Sequence, residues 1–279
     1  MSAGRELSST EELRKYISSV SLSNISSEKI IHLINERGAD PNVQIDDSGE
    51  TPLMYLIMET SNEMNGLFHD EVMKVYQFLL EFPGTDINAE NKLGYRLLNY
   101  AVCAKDPAFL EMLLSKSEES RLHINTAIRG GIAPIHQACS DERHSSVQHI
   151  AILLAHGADP ILQTETTRYT ALHCAIVRES SIPDLDLLMG ILDKLLQYGV
   201  DIGSGGPRDF NGRSITHMAA KYSRDTDFCT MVLRNGGDES LELRCNAGLT
   251  PPEEADASLN VLAFIAFDTY TMPRPAQAG

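Results

Sequence analysis

The sequence has neither a long apolar run nor an excess of positive charge. Its longest strongly apolar stretch, Val261–Phe267, is far shorter than the roughly 20 residues that span a bilayer, and the opening MSAGRELSSTEEL has no apolar signal core. Lysine and arginine number 23 against 39 aspartates and glutamates, and residues 1–140 and 141–279 share the formal charge of -16 equally. Since phosphates require basic side chains, nucleic acid and anionic membrane are disfavoured as partners. A protein or peptide with a basic or mixed-charge surface is favoured.

Cysteine is scarce as well. The five cysteines are an odd number without CxxC spacing, and Cys103, Cys139 and Cys174 lie in apolar helical patterns. Such thiols are typical of buried cysteines in a reducing compartment, so the expected location is the cytoplasm or the nucleus. With 42% hydrophobic residues in 279, the chain is long and apolar enough to form a sizeable core.

An internal repeat is the main feature that the sequence does contain. One nine-residue pattern occurs six times, in the order GETPLMYLI, GYRLLNYAV, GIAPIHQAC, RYTALHCAI, GRSITHMAA and GLTPPEEAD. The copies begin at Gly49, Gly94, Gly131, Arg168, Gly212 and Gly248. An apolar helical segment and a turn precede each copy, as in IAILLAHGADP. Threonine before proline, as at Thr51 and Thr250, is typical of a helix start. Each unit therefore predicts a hairpin and two helices, which cannot bury their apolar faces alone.

These residues resemble the ankyrin repeat, with its G-x-T-P-L-H-x-A opening and G-A-D-x-N turn, over about residues 28–256. The resemblance implies an all-α solenoid, a stack of helix-turn-helix units with short β-hairpin loops. We expect a single ankyrin-repeat domain over 1–279. Its predicted parts are an N-terminal helical cap at 1–40, repeats at 41–256, a C-terminal capping helix at 257–270 and a flexible tail at 271–279.

The repeats are longer than the about 33 residues of an ankyrin unit. The excess predicts inserted loops at 59–70, 178–186 and 203–211, on exposed edges where neighbouring repeats do not pack. A capping-box pattern, Ser9 to Glu12, predicts the first helix, and glycines in the left-handed conformation are predicted to end four second helices. These glycines are Gly38, Gly157, Gly199 and Gly236.

No residue pattern supports catalysis, a metal site or a cofactor. His136, His173 and His217 recur at the fourth helix position and are interpreted as rings that bond the backbone between repeats. His173 and Cys174 point about 100° apart on a helix, which excludes a nucleophile–base pair by adjacency. HExxH, CxxC and DxDxDG patterns are absent, and the glycine-rich segment 203–206 lacks a GK[ST] ending. We predict that the chain is not an enzyme.

The predicted function is a non-catalytic protein–protein interaction module, an adaptor, scaffold or inhibitor. By the resemblance, it binds a protein partner through the concave ankyrin face and the hairpin tips. The resemblance also implies that the fifth position of each first helix points into that face, and this position supplies the first candidate contacts: Tyr55, Tyr100, Gln137 and Met218. The tips supply the others: Tyr95, Arg129, Arg168, Tyr169, Arg208 and Phe210.

Two further hypotheses remain open. Leu80 followed by Asp86-Ile87-Asn88 resembles the context in which ankyrin asparagines are hydroxylated, whereas Asn88 could equally cap its turn. The apolar terminal helix and abrupt tail favour an alternative function, the substrate-targeting part of a larger enzyme assembly such as a ubiquitin ligase subunit or a pathogen effector.

Overall fold

The computed structural model describes residues 7–62, 69–116, 122–141 and 146–271. These residues form fourteen α-helices, and the only strand pairing among them consists of two isolated antiparallel bridges, Glu90 with Arg96 and Ile128 with Ile132. The predicted all-α repeat architecture is confirmed. No helix in the described ranges is long and apolar enough to cross a membrane. The chain divides into two compact units, Met1–Ile124 and Asn125–Gly279.

The first unit holds six of the helices. They are α1 (Ser9–Ser19), α2 (Ser27–Asn35), α3 (Pro52–Asn62), α4 (His69–Glu81), α5 (Leu97–Val102) and α6 (Ala108–Ser115). Helix α3 packs against α5, and α4 lies against both α2 and α6. Tyr76 and Phe109 are fully buried in the core of this unit. Their rings meet edge to face at 5.0 Å, and the Tyr76 hydroxyl donates to the Phe109 carbonyl at 3.2 Å.

The second unit holds the other eight helices. They are α7 (Pro134–Ser140), α8 (Val147–Ala155), α9 (Ala171–Ser181), α10 (Leu185–Gln197), α11 (Ile215–Tyr222), α12 (Thr226–Gly236), α13 (Pro251–Ala257) and α14 (Val261–Thr271). The first helices of successive repeats pack in the order α7, α9, α11 and α13, and each contacts the second helix of its own repeat. This arrangement brings the hairpins of successive repeats side by side.

The helix ends follow local chemistry, with two corrections to the sequence prediction. The capping box of α1 is formed by Ser8 and Glu11, one residue earlier than predicted, because the Ser8 hydroxyl accepts from the Glu11 amide. Gly38, Gly157 and Gly199 have positive φ values as predicted. Gly236, however, is the last residue of α12, and the left-handed position is taken by Gly237 with φ 73°.

Two predicted insertions lengthen helices. Helix α9 continues to Ser181 and α10 begins at Leu185, so most of 178–186 is helical. In the same way α3 continues to Asn62, and residues 63–68 of the predicted 59–70 loop lie outside the described residues. The helical parts of these two insertions, 59–62 and 178–181, contain neither glycine nor proline, the residues that disfavour a helix most, whereas 203–211 contains three glycines and a proline and remains a loop.

The C-terminal prediction of one helix over 257–270 is wrong in its start. Helix α13 ends at Ala257 and α14 begins at Val261, with Leu259 at φ 54° between them. Asn260 explains the new start, because its Oδ1 accepts from the Ala263 amide at 3.2 Å and so caps the helix. Its side-chain nitrogen also donates to the carbonyls of Ala220 and Ser223 at 2.9 and 2.7 Å. Apart from Thr271, the predicted tail lies outside the described residues.

Candidate functional site

Backbone hydrogen bonds join the hairpin tips of the second unit side by side. The Glu165 amide donates to the Gly130 carbonyl at 3.2 Å, and the Phe210 amide donates to the Thr167 carbonyl at 2.8 Å. The Asn246 side chain donates in turn to the Phe210 carbonyl at 3.1 Å. Phe210 is thus fixed on both sides by its neighbours, although its side chain is 68% exposed.

Arg168 occupies a position where the other repeats have glycine. Its φ is 56°, and the glycines at the equivalent place in the other five copies have φ between 72° and 85°. The left-handed conformation costs a residue with a Cβ atom roughly 1 kcal/mol or more, so this arginine is strained where glycine would be relaxed. The strained residue lies at the tip of its hairpin, and the Arg168 side chain is exposed.

The side chain of Gln163 hydrogen-bonds to both of the hairpin tips that carry Arg168 and Arg208. Its side-chain nitrogen donates to the carbonyls of Arg168 and Arg208 at 2.9 and 2.8 Å, which bridges two tips. Its side-chain oxygen accepts from Nη2 of Arg168 at 3.2 Å. On the adjacent tip, Nη1 of Arg208 donates to the Arg244 carbonyl at 3.1 Å. Both guanidinium groups are therefore held by neutral acceptors.

These residues surround a cavity of about 430 Å³, and we call the lining formed by Gln163, Arg168, Arg208, Phe210 and Asn246 the arginine tip. Within the described ranges, neither Arg168 nor Arg208 has a carboxylate in ion-pair distance. The nearby Asp209 is only 2% exposed and accepts the amides of Asn211 and Arg213 at 2.8 and 2.7 Å. Asp209 also lines the cavity but is buried, and the exposed acidic residue on the hairpin of Arg168 is Glu165.

In the first unit, the candidate Tyr100 lies in a different arrangement with three residues that were not predicted, and we call Asp46, Glu50, Asn91 and Tyr100 the glutamate cluster. Glu50 is 4% exposed, and its Oε1 accepts from the Tyr100 hydroxyl at 2.7 Å. The Asn91 side chain donates to that hydroxyl at 2.9 Å. Burial and the neighbouring Asp46 raise the pKa of Glu50, and burial followed by the hydrogen bond to Glu50 raises the pKa of Tyr100.

The other first-unit candidates are Tyr95 and Tyr55, which lie near this cluster, and Asn88. Tyr95 is half-buried and meets the Tyr100 ring at 6.4 Å. Tyr55 is half-buried too, and burial followed by the charges of Glu59 and Asp46 raises its pKa. Asn88 is half-buried, and its amide donates to Asp86 at 3.0 Å, so the turn is formed. The hydroxylation of Asn88 stays a prediction.

The remaining candidates of the second unit differ in how much of each residue is exposed. Met218 is fully buried, so it belongs to the core and offers no side-chain surface, contrary to its predicted place in a groove. Gln137 is half-buried in α7, and Arg129 is exposed in the short turn at 129–131. Tyr169 is half-buried and stacks on the His173 ring, with centroids 5.7 Å apart.

Of the three histidines, His136 and His217 bond the backbone of the next repeat, as the sequence predicts, whereas Nε2 of His173 is buried and has no hydrogen-bond partner in the described chain. All are fully buried, and Nδ1 of His136 accepts from the Ala133 amide at 3.0 Å. Nε2 then reaches the next repeat, at the Leu162 carbonyl for His136 and the Leu249 carbonyl for His217. Burial lowers the pKa of all three, and that of His173 to about 4.

The described residues offer little for chemistry. Burial raises the pKa of the Cys174 thiol to about 12, so this thiol stays protonated and is a poor nucleophile at neutral pH. No group of three or more histidine, cysteine, aspartate or glutamate side chains that could hold a metal ion occurs in the described part of the chain.

Comparison with known proteins identifies the fold. No family model matches the sequence, and no curated protein matches it. Among solved structures, the chain is similar to the ankyrin repeat domain of Bcl-3, a unique member of the IkappaB protein family, with a TM-score of 0.66 and 18% identity over 92% of this chain and 97% of that one. It is also similar to a chain in the complex of the predatory endopeptidase Bd0816 from Bdellovibrio bacteriovorus with immunity protein Bd3460, with a TM-score of 0.55 and 17% identity over 71% of this chain and 91% of that one. The chain therefore has the ankyrin-repeat fold that its sequence predicts.

Proposed function

We propose that this ankyrin-repeat chain is a non-catalytic protein-binding module, an adaptor, scaffold or inhibitor, and that the arginine tip is a contact surface for its protein partner. The observation that carries the proposal is Phe210, which is 68% exposed although its backbone is fixed by Thr167 and Asn246. A rigid aromatic side chain loses little entropy when a partner covers it, and its burial contributes about 1.5–3 kcal/mol.

The surroundings of Phe210 support the same proposal. Arginine and aromatic residues are the types that dominate the binding energy of protein interfaces. Arg168 and Arg208 flank the cavity beside Phe210, already oriented by hydrogen bonds to Gln163 and to the Arg244 carbonyl. The free cysteines, of which Cys139, Cys229 and Cys245 are buried, favour the cytoplasm or the nucleus as the place of action.

Affinity capture from the native cell, read out by mass spectrometry, tests the proposal. The bait is the full chain, compared with Phe210→Ser and with Tyr198→Ser as a matched control, since Tyr198 is 46% exposed at the end of α10. We expect the dominant partner to be retained by the wild type and by the control and lost with Phe210→Ser. Equal capture by all three proteins would place the interface elsewhere.

Helix α14 favours a second candidate function, the substrate-targeting part of a larger enzyme assembly such as a ubiquitin ligase subunit or a pathogen effector. Val261, Phe264 and Ile265 are 65%, 48% and 48% exposed, and one face of the helix is therefore apolar and in water. If another subunit covers that face, Phe264→Asp together with Ile265→Asp releases the chain from the assembly. Sedimentation of the cell extract measures this, and an unchanged particle size contradicts it.

A further inference from the structure

Neither guanidinium group of the arginine tip forms an ion pair with a described carboxylate, and the acid that lines the same cavity, Asp209, is buried and accepts backbone amides. A guanidinium group carries five N–H donors, and here some of them are used on the Gln163 oxygen and on backbone carbonyls. None of these acceptors is charged. Both arginines line the same cavity, and their remaining donors are the groups with which arginine binds a carboxylate.

The conformation of Arg168 provides an independent observation. Five of the six repeats place glycine at this left-handed position, and the sixth places a long cationic side chain there. Folding alone favours glycine, because glycine adopts positive φ without strain. The strained arginine therefore points to a role for its side chain, in line with the general occurrence of backbone strain at binding sites.

We infer that the partner segment bound at the arginine tip is an acidic peptide, whose carboxylates pair with Arg168 and Arg208 and whose apolar side chain covers Phe210. This inference rests on the proposed function and specifies the ligand of the same surface. A cavity of about 430 Å³ accommodates one or two side chains of such a segment. An acidic peptide is the opposite of the basic partner that the net charge of -16 favours for the protein as a whole.

A polyanion fits the surface less well than a short acidic segment. Nucleic acid engages many phosphates at once, and the two arginines of this tip lie in a protein with 39 carboxylates against 23 basic side chains. A peptide that carries a few carboxylates and an apolar residue matches both the small number of free charges and the exposed ring of Phe210.

A display library of random 12-residue peptides, selected on the immobilised full chain, supplies the probes. The selected peptides are labelled with fluorescein, and their Kd is measured by fluorescence anisotropy. We expect aspartate and glutamate to be enriched, together with at least one apolar residue. The Kd is expected to rise roughly tenfold or more with Arg168→Gly combined with Arg208→Gln, and by a similar factor with Phe210→Ser.

Two controls keep the test specific. Arg234→Gln removes an exposed arginine of α12, and Tyr198→Ser removes an exposed aromatic side chain, so both are expected to leave the Kd unchanged. Circular dichroism checks the folding of the double variant, which restores at position 168 the residue type of the other repeats.

Four outcomes would overturn the acidic ligand. They are failure to select any binding peptide, selection of basic or uncharged peptides, an unchanged Kd in the double variant, and tighter binding of a single-stranded 12-nucleotide DNA than of the selected peptides. The proposed function is tested separately. If Phe210→Ser abolishes capture of a cellular protein while the selected peptides are basic, the module still binds proteins at this tip and only the acidic ligand is wrong.

Discussion

The two units have the same repeat architecture and nearly the same charge, but they use equivalent positions differently. Residues 1–124 hold 11 basic and 20 acidic side chains, and residues 125–279 hold 12 and 19. At the fourth position of the first helix, the first unit has Met54 and Asn99, whereas three repeats of the second unit have buried histidines. Net charge therefore says little about either unit, and the placement of a few residues distinguishes them.

The hairpin regions show the same contrast. In the first unit, Glu50 is buried and its Oε1 is bonded to Tyr100, so the aromatic residue is engaged inside the unit. In the second unit, Asp209 is turned inward, and Arg168, Arg208 and Phe210 remain available at the surface. The same turn is thus used for internal bonding in one unit and for presentation of side chains in the other.

Among the predictions, acidification should produce the largest difference in unfolding free energy between the two units. Because the folded pKa of His173 is lowered from 6.5 to about 4, the stabilising effect of its neutral form is complete above pH 6.5 and is lost as pH falls towards 4. The loss is about 2 kcal/mol at pH 5 and about 3 kcal/mol at pH 4, and His136 and His217 act in the same direction. The first unit has no histidine at these positions.

Methyl-labelled methionines can report on each unit separately. Met54 and Met218 are fully buried in the first and second unit, and their NMR signals can be followed through urea unfolding at pH 7 and pH 5. We expect the midpoint of Met218 to fall and that of Met54 to change much less. His173→Asn is the control, since Asn99 makes the equivalent bond to the Arg96 amide at 2.9 Å, and it should weaken the pH dependence. Equal shifts of both signals would refute the contrast.

Much of the fold follows from local chemistry and could be predicted from the sequence. Thr250 before proline and the glycines at the tips act on their immediate neighbours, so the repeat register and most helix starts were correct. The lengths of α3 and α9 could not be predicted correctly, because an inserted segment can extend a helix or form a loop. Packing decides between the two. Met218 occupies a groove position by register, yet α11 is covered by its neighbours.

The candidate site was predictable in its residue types and not in its contacts. Phe210 and the tip arginines stand out in the sequence as unusual residues in hairpins. Gln163 bonds a residue 45 positions away and Tyr100 bonds one 50 positions away, and no short pattern signals either pair. The left-handed conformation of Arg168 could have been suspected from the repeat register, because five aligned residues are glycine.

An intermediate effect is expected from Tyr100→Phe in the glutamate cluster. The substitution removes the hydroxyl that donates to Glu50 and accepts from Asn91, and leaves the carboxylate buried with one donor fewer. The expected loss is about 2 kcal/mol of unfolding free energy, since a buried polar group without its partner costs about 1–3 kcal/mol. Urea unfolding followed at Met54 measures it. Tyr169→Phe is the matched change in the second unit, where the ring stacks on His173, and a comparable loss there would contradict the assignment.

The smallest expected effect has the opposite sign and connects stability with binding. Arg168→Gly relieves a left-handed residue with φ 56° and should stabilise the second unit by about 1 kcal/mol, seen as a Tm rise of roughly 2–4 °C. The reciprocal change is Gly94→Arg in the first unit, where φ is 85° and a Cβ atom would meet nothing within 4 Å. It should destabilise that unit by a similar amount.

These two substitutions exchange the same residue types in opposite directions at equivalent positions, so a strain cost common to both positions changes Tm with opposite signs. If Arg168→Gly raises Tm and at the same time weakens the binding of the selected peptides, the arginine lowers the stability of the fold and contributes to recognition. If Arg168→Gly lowers Tm, its hydrogen bond to Gln163 stabilises the fold by more than the strain costs, and the strained conformation then needs no functional explanation. Differential scanning calorimetry on the two variants and the wild type decides between these outcomes.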